Sequence, residues 1–280
     1  MKLYLVFFLP LSFAILDDHF LKFLNKKYWP EIAERLNRAD LGPNGDGSFG
    51  GGNVLRTRRP VVLVHGLRNK AGYLWRNRKI LGENGWQDHH VLATSWGMGD
   101  QGFMMGMSEG MKCDYVKQIR YMLIATMCYY RSDIDVIAYS MGSPIARKAI
   151  LGGYCADTGE YLGRRLSHRI NTFVSVAGAN QGSALCDFSF PGVCGDDIGL
   201  NCKSKFLRDI NSKVGYEGRH RYYIHSTMDD MVGTMTSCGK VPGAIEGAEE
   251  VKIEMASHDD TMFERLDEQL KVMQKQYPYD

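Results

Sequence analysis

The stretch DVIAYSMGSPIARKAI, Asp135 to Ile150, restricts the possible folds more than any other part of the chain. It opens as a buried-strand pattern and closes with helical spacing, with Ser140 at the junction. A strand that turns into a helix within a residue or two needs small neighbours, which Ala138 and Gly142 supply. The same alternation runs through most of the sequence. VVLVHG, HVLATSW, INTFVSVAG, RYYIHST and EVKIEMA read as strands. Helical spacing is expected near Tyr73 to Leu81, from Cys113 to Tyr130, from Ser143 to a glycine stop at Gly152, and near Ser204 to Asn211. DTMFERLDEQLKVMQKQ closes the chain as an amphipathic helix, and two shorter ones are expected at His19 to Lys26 and Glu31 to Leu36. GPNGDGSFGGG, which follows these two, reads as a turn-rich lead-in and not as a core element. The predicted class is α/β, with a mostly parallel sheet covered by helices on both faces.

With 280 residues, 44% of them hydrophobic, one substantial core is possible, and a single domain is expected over residues 15–280. Lys and Arg number 34 against 32 Asp and Glu, a balance that offers no electrostatic case for nucleic acid. The first eighteen residues, MKLYLVFFLPLSFAILDD, place one lysine before an apolar run from Leu3 to Leu16. Ser12 and Ala14 have the small-residue spacing of a cleavage site. The run is shorter than the ~20 residues of a membrane span, so residues 1–14 are expected to be a secretory signal. No later segment is long and apolar enough to span a bilayer, so the protein is expected to be secreted. Seven cysteines suit an oxidising compartment and leave at least one outside any intramolecular pair. Cys186, Cys194 and Cys202 crowd one irregular region, as expected for a loop pinned by disulfide. No CxxC or HExxH occurs, so no metal site is expected.

In an open α/β sheet the reactive groups stand beyond the carboxyl ends of the strands. His65, Ser95, Ser140, Asp229, Asp230 and His258 lie there. Ala138 to Gly142 is close to the G-x-S-x-G nucleophile elbow, which makes Ser140 the candidate nucleophile. A serine hydroxyl needs a base oriented by an acid, and with an elbow the acid and then the base follow in the chain. Of the histidines after Ser140, only His258 follows a strand end and precedes a helix. The acid is Asp229 or Asp230, both just past the preceding strand. Oxyanion donors are expected from the backbone amides of Met141 and Leu67, and His65 is expected to buttress that second loop. GMGDQGFMMGMSEGM, with five methionines and five glycines, suggests an adaptable apolar wall for an acyl chain, in which Phe103, Met104 and Met105 would contact substrate.

HGL, AYSMG, SVAGANQGSALC, STMDDMVG and SHDDT, in this order, resemble the class 2 lipases, secreted α/β-hydrolases with a minimal bacterial form and a large nematode group. SPIARKAILGGYCADTGEYLG is similar to the nematode branch in particular. The resemblance runs from about Ser48 to the end of the chain. It implies an α/β-hydrolase fold and Ser140, Asp229 and His258 as catalytic triad, and aligning IHSTMD without a gap is what favours Asp229. It implies hydrolysis of lipid esters, with a lipid–water interface as the place of action and no metal or organic cofactor. A phospholipase or a short-chain esterase would use the same residues. A non-catalytic lipid-binding protein on the same fold is the reading from another class. The N-terminal helices and the Cys186 to Cys202 section are additions to the minimal form.

Overall fold

The computed structural model describes residues 16–42, 46–52, 58–99, 106–188 and 192–277. The expected signal segment, residues 1–14, lies outside them. The described strands are β1 (Ser48–Phe49), β2 (Val61–Val64), β3 (Val91–Thr94), β4 (Ile134–Tyr139), β5 (Ile170–Val176), β6 (His220–Ser226) and β7 (Glu249–Ile253). They form one sheet in the order β1-β3-β2-β4-β5-β6-β7. Every neighbouring pair is parallel except β1 with β3. The described α-helices are α1 (Asp18–Lys27), α2 (Pro30–Asn37), α3 (Trp75–Glu83), α4 (Cys113–Tyr130), α5 (Gly142–Leu151), α6 (Lys205–Asn211), α7 (His258–Phe263) and α8 (Leu266–Gln274).

The central strands β2, β4 and β5 are buried at every position; β2 is an unbroken apolar run, whereas β4 buries Asp135 and β5 buries Asn171, Thr172 and Ser175 among apolar residues. Two apolar clusters cover the sheet. One joins α1, α2, α4, α5 and α6 through residues such as Phe20, Leu36, Ile119, Ile145 and Phe206. The other joins α3, α7 and α8 through Leu81, Met262, Val272 and Met273. The fold is the α/β-hydrolase type, with helices on both faces of a mostly parallel sheet.

Two local expectations change. Ser48–Phe49, inside the turn-rich lead-in, forms the antiparallel edge strand, and Phe49 is buried against the α3 face. Its burial outweighs the surrounding glycines, whose turn propensity is only a local preference. The C-terminal amphipathic segment is two helices and not one. A capping box of Ser257 and Asp260 starts α7 at His258, and the chain breaks at Arg265 before α8 begins. The break lets the Gln269 side chain donate to the carbonyls of Thr261 and Met262 at 3.2 and 3.0 Å.

Three disulfides link Cys113 to Cys155, Cys186 to Cys194 and Cys202 to Cys238, and Cys128 stands exposed outside them. No helix among the described residues is long and apolar enough to cross a membrane.

Candidate active site

Ser140 follows the last residue of β4 with φ of 51°, a left-handed conformation for a residue with a side chain. Strain of this kind costs on the order of 1–3 kcal/mol and persists only where packing imposes it. The packing is visible on both sides. The Ser140 amide donates to the Val176 carbonyl of β5 at 3.0 Å, and its carbonyl accepts from the Ser143 amide at 3.0 Å. A Cβ on Gly142 would lie 2.1 Å from the His65 carbonyl oxygen, and one on Gly66 would lie 2.8 Å from the Ser140 Cβ. Both glycines are needed for the loop after β2 to meet the elbow. Ala138, buried in the sheet, pairs with Val64 and Ser175.

His258, the first residue of α7, reaches back across the sheet edge. Its Nε2 accepts from the Ser140 hydroxyl at 2.9 Å, and its Nδ1–H donates to Asp229 Oδ2 at 2.7 Å. This hydrogen-bond pattern is that of the neutral Nδ1–H tautomer. Asp229 Oδ1 accepts from the Met231 and Val232 amides at 3.0 and 2.9 Å, which turns the other oxygen toward the imidazole. All three side chains are buried. Asp230 plays a different part and accepts the His258 backbone amide at 2.9 Å. That bond holds the Asp230 carboxyl below the usual carboxylate range. His168 and His220 are exposed, and His225 faces Glu250 at 2.7 Å, so none of them enters the site.

His65 is buried and stacked on Trp96. Its Nδ1–H donates to the Gly66 carbonyl at 2.8 Å, and its Nε2 accepts from the Trp96 amide at 3.0 Å. Burial pushes its pKa down to about 4, against a partial opposing effect from the Gly66 hydrogen bond. A neutral imidazole thus braces the loop that leads to Leu67. Leu67 and Met141 flank Ser140 at the mouth of one cavity, and neither backbone amide donates to another described residue. Ser95 accepts from the Ala71 amide and donates to the Asp46 carbonyl, which holds two loops together, and it does not line the cavity beside Ser140.

That cavity has a volume of about 370 Å³ and contains Ser140 and His258 in its lining. Phe103, Met104 and Met105 lie outside the described residues. Met107, from the same glycine- and methionine-rich segment, lines the cavity together with Leu185, Cys186, Val193, Cys194 and Leu200. Sequence reasoning missed these last five as pocket residues. Their signal was the presence of apolar residues between the crowded cysteines. It also missed a buried polar cluster behind the elbow. There Asn77 Nδ2 donates to the Tyr139 hydroxyl and the Met262 carbonyl, both at 3.0 Å. The Tyr139 hydroxyl donates to Gln269 at 2.9 Å, so the cluster ties β4 to the helix carrying His258. Among the described residues, one group has metal-ligand proximity, Cys113, Cys155 and Asp157, and its two sulfurs form a disulfide.

Residues 58–271 match the family model described as Lipase (class 2). No curated protein sequence matches the chain. Among solved structures, the mature lipase BlEst2 of Bacillus licheniformis superposes with a TM-score of 0.55 at 12% identity, covering 80% of this chain and 95% of that one. Lipase B of Aspergillus fumigatus gives 0.53 at 14%, covering 73% and 49%, so the match spans about half of that lipase's length. Est1E of Butyrivibrio proteoclasticus, solved with ferulic acid, gives 0.53 at 12%, covering 82% and 94%. At these identities the likeness is one of fold.

Proposed function

The chain belongs to the class 2 lipase family, and on that premise we propose that it is a secreted enzyme hydrolysing carboxylic esters of lipids through Ser140, His258 and Asp229. The observation that carries this reading is the continuous hydrogen-bond path from the Ser140 hydroxyl through the His258 ring to Asp229, at 2.9 and 2.7 Å. Both distances lie within the reach that proton transfer requires.

His258 Nε2 takes the Ser140 proton as Oγ attacks the ester carbonyl. The carbonyl oxygen becomes an oxyanion held by the Leu67 and Met141 amides. A lost donor of this kind removes about 2.7–4 kcal/mol of transition-state stabilisation. Asp229 balances the imidazolium through Nδ1–H. The tetrahedral centre collapses, the acyl–oxygen bond breaks, and the alcohol leaves with the proton from Nε2. Water, activated by the same nitrogen, then releases the acid and restores Ser140. The three disulfides support an extracellular setting, since such bonds persist in oxidising compartments.

The test is hydrolysis of esters from soluble short-chain substrates to emulsified glycerides, by the wild type and by Ser140→Ala. Turnover that disappears in the variant supports the proposal. Lipid binding without turnover by the wild type overturns it in favour of a non-catalytic lipid-binding protein.

A further inference from the structure

The cavity beside Ser140 has two unlike sides. On one side stand Met107, Val193, Cys194 and Leu200, all part of the apolar cluster on the α4 and α5 face of the sheet. These side chains are almost fully covered, Val193 at 4% and Leu200 at 6% exposure. On the other side stand α7, with His258 and the exposed Asp259, and Tyr73, which is 44% exposed. Met262 of α7 belongs to the cluster on the opposite face of the sheet. Ser140 stands between the two sides, at the carboxyl end of the central strand β4.

The direction of proton transfer assigns these sides. The leaving oxygen must receive its proton from His258 Nε2, so the alcohol faces α7. The acyl chain then extends the other way, toward Val193 and Leu200. Resting on the ester-hydrolase reading of Ser140, we infer that the segment from Gly192 to Leu200, tied to Cys186 by the Cys194 disulfide, is the acyl wall of the site, and that Val193 and Leu200 set the length of chain it accepts. The substrate class is an ester of one apolar acyl chain with an alcohol that stays partly in water.

The Gly192 to Leu200 segment is held by backbone hydrogen bonds to its neighbours. The Val193 amide donates to the Met107 carbonyl at 3.0 Å and the Met111 amide to the Ile198 carbonyl at 2.7 Å. The Ser183 amide donates to the Leu200 carbonyl at 3.0 Å, and the Ala184 amide to the Val232 carbonyl at 2.8 Å, next to the Asp229 turn. The disulfide closes this frame over eight residues of separation and contributes both its cysteines to the cavity lining. A wall joined at once to the methionine-rich segment and to the acid turn cannot recede to admit a longer chain without disturbing both.

Two ester series test the inference, one varying the acyl chain at fixed alcohol and the other varying the alcohol at fixed acyl chain. Val193→Trp should lower the octanoyl-to-butanoyl ratio of kcat/KM by about tenfold or more, and Val193→Ala should raise it by about tenfold, since one methylene in an apolar pocket changes discrimination by at least about tenfold. Neither should move the alcohol series by more than about twofold, whereas Tyr73→Ala should move that series and not the acyl one. Cys186→Ser/Cys194→Ser should flatten the acyl profile. Val193→Ala carries the test if the tryptophan variant does not fold. Alanine and tryptophan variants that leave the acyl ratio in place, or that shift the alcohol ratio instead, overturn the inference. Turnover that survives Ser140→Ala overturns the underlying reading, which keeps the two failures distinct.

Discussion

Asp230 Oδ1 accepts the backbone amide of His258 at 2.9 Å, while its neighbour Asp229 takes the ring of the same histidine. Adjacent carboxylates thus divide the work: one anchors the first residue of α7 through its backbone amide, the other holds the tautomer and tilt of the imidazole.

The division predicts unequal losses. Asp229→Asn should reduce kcat by about 10⁴, the scale seen when a triad acid is replaced. Asp230→Ala removes a helix-terminal acceptor worth about 1 kcal/mol, so kcat should fall only several-fold. Asp230→Asn keeps an acceptor and should lose less than the alanine variant. Steady-state kinetics on one soluble ester separates the three.

His65 makes the fold sensitive to acid. Its pKa is held near 4 in the folded chain against an ordinary 6.5, so between these values the unfolded chain binds the proton and the folded chain does not. Stability is full above pH 6.5, declines as pH falls, and has lost about 3 kcal/mol from this residue below pH 4. Urea unfolding of the wild type and of His65→Gln at pH 7, 5.5 and 4.5 measures it. The variant should be less stable at pH 7, because the Trp96 amide loses its acceptor, and should show a shallower decline.

The elbow holds Ser140 in a strained left-handed conformation, at a cost to stability. Ser140→Gly removes the penalty of a left-handed side chain, about 1–2 kcal/mol, whereas Ser140→Ala retains it. The glycine variant should therefore unfold at higher urea than the alanine variant, with both inactive. Equal midpoints would show that the φ of 51° is not strained.

Arg147 of α5 meets Glu217 at 2.9 Å with both side chains buried. Arg147→Met leaves an uncompensated buried carboxylate and should destabilise the fold by about 3–5 kcal/mol. Replacing both, as Arg147→Met/Glu217→Leu, should recover most of that loss. Thermal or urea denaturation of the two variants decides it.

Much of the architecture could be read along the chain because its signals are local or periodic. The helix from Cys113 to Tyr130 begins and ends where its spacing indicated. The predominantly apolar segments starting at Val61, Ile134 and Ile170 form the central strands, buried on both faces. The small residues around Ser140 announced a tight turn, and the backbone makes one. Phe49 was not legible as a strand residue, because its pairing partner Ala93 lies far along the chain and only contact across the sheet rewards it. The single helix expected near the C-terminus is divided, and the break leaves the Met262 carbonyl to Asn77, a residue of a distant element.

By itself, then, the sequence determined the α/β class, the order of its elements and the family, through apolar periodicity and short motifs that survive without spatial context. The residues by themselves left Asp229 and Asp230 open, and only the family resemblance favoured Asp229; tertiary structure brings Asp229 to the His258 ring, and it alone decided which cysteines pair and which apolar residues stand beside Ser140. Adjacent aspartates have the same local chemistry, and their roles differ only by the direction in which a folded turn aims each oxygen. Cysteine pairing and pocket lining depend on distances between segments far apart in the chain, which exist only once the sheet has gathered its carboxyl edges into one place.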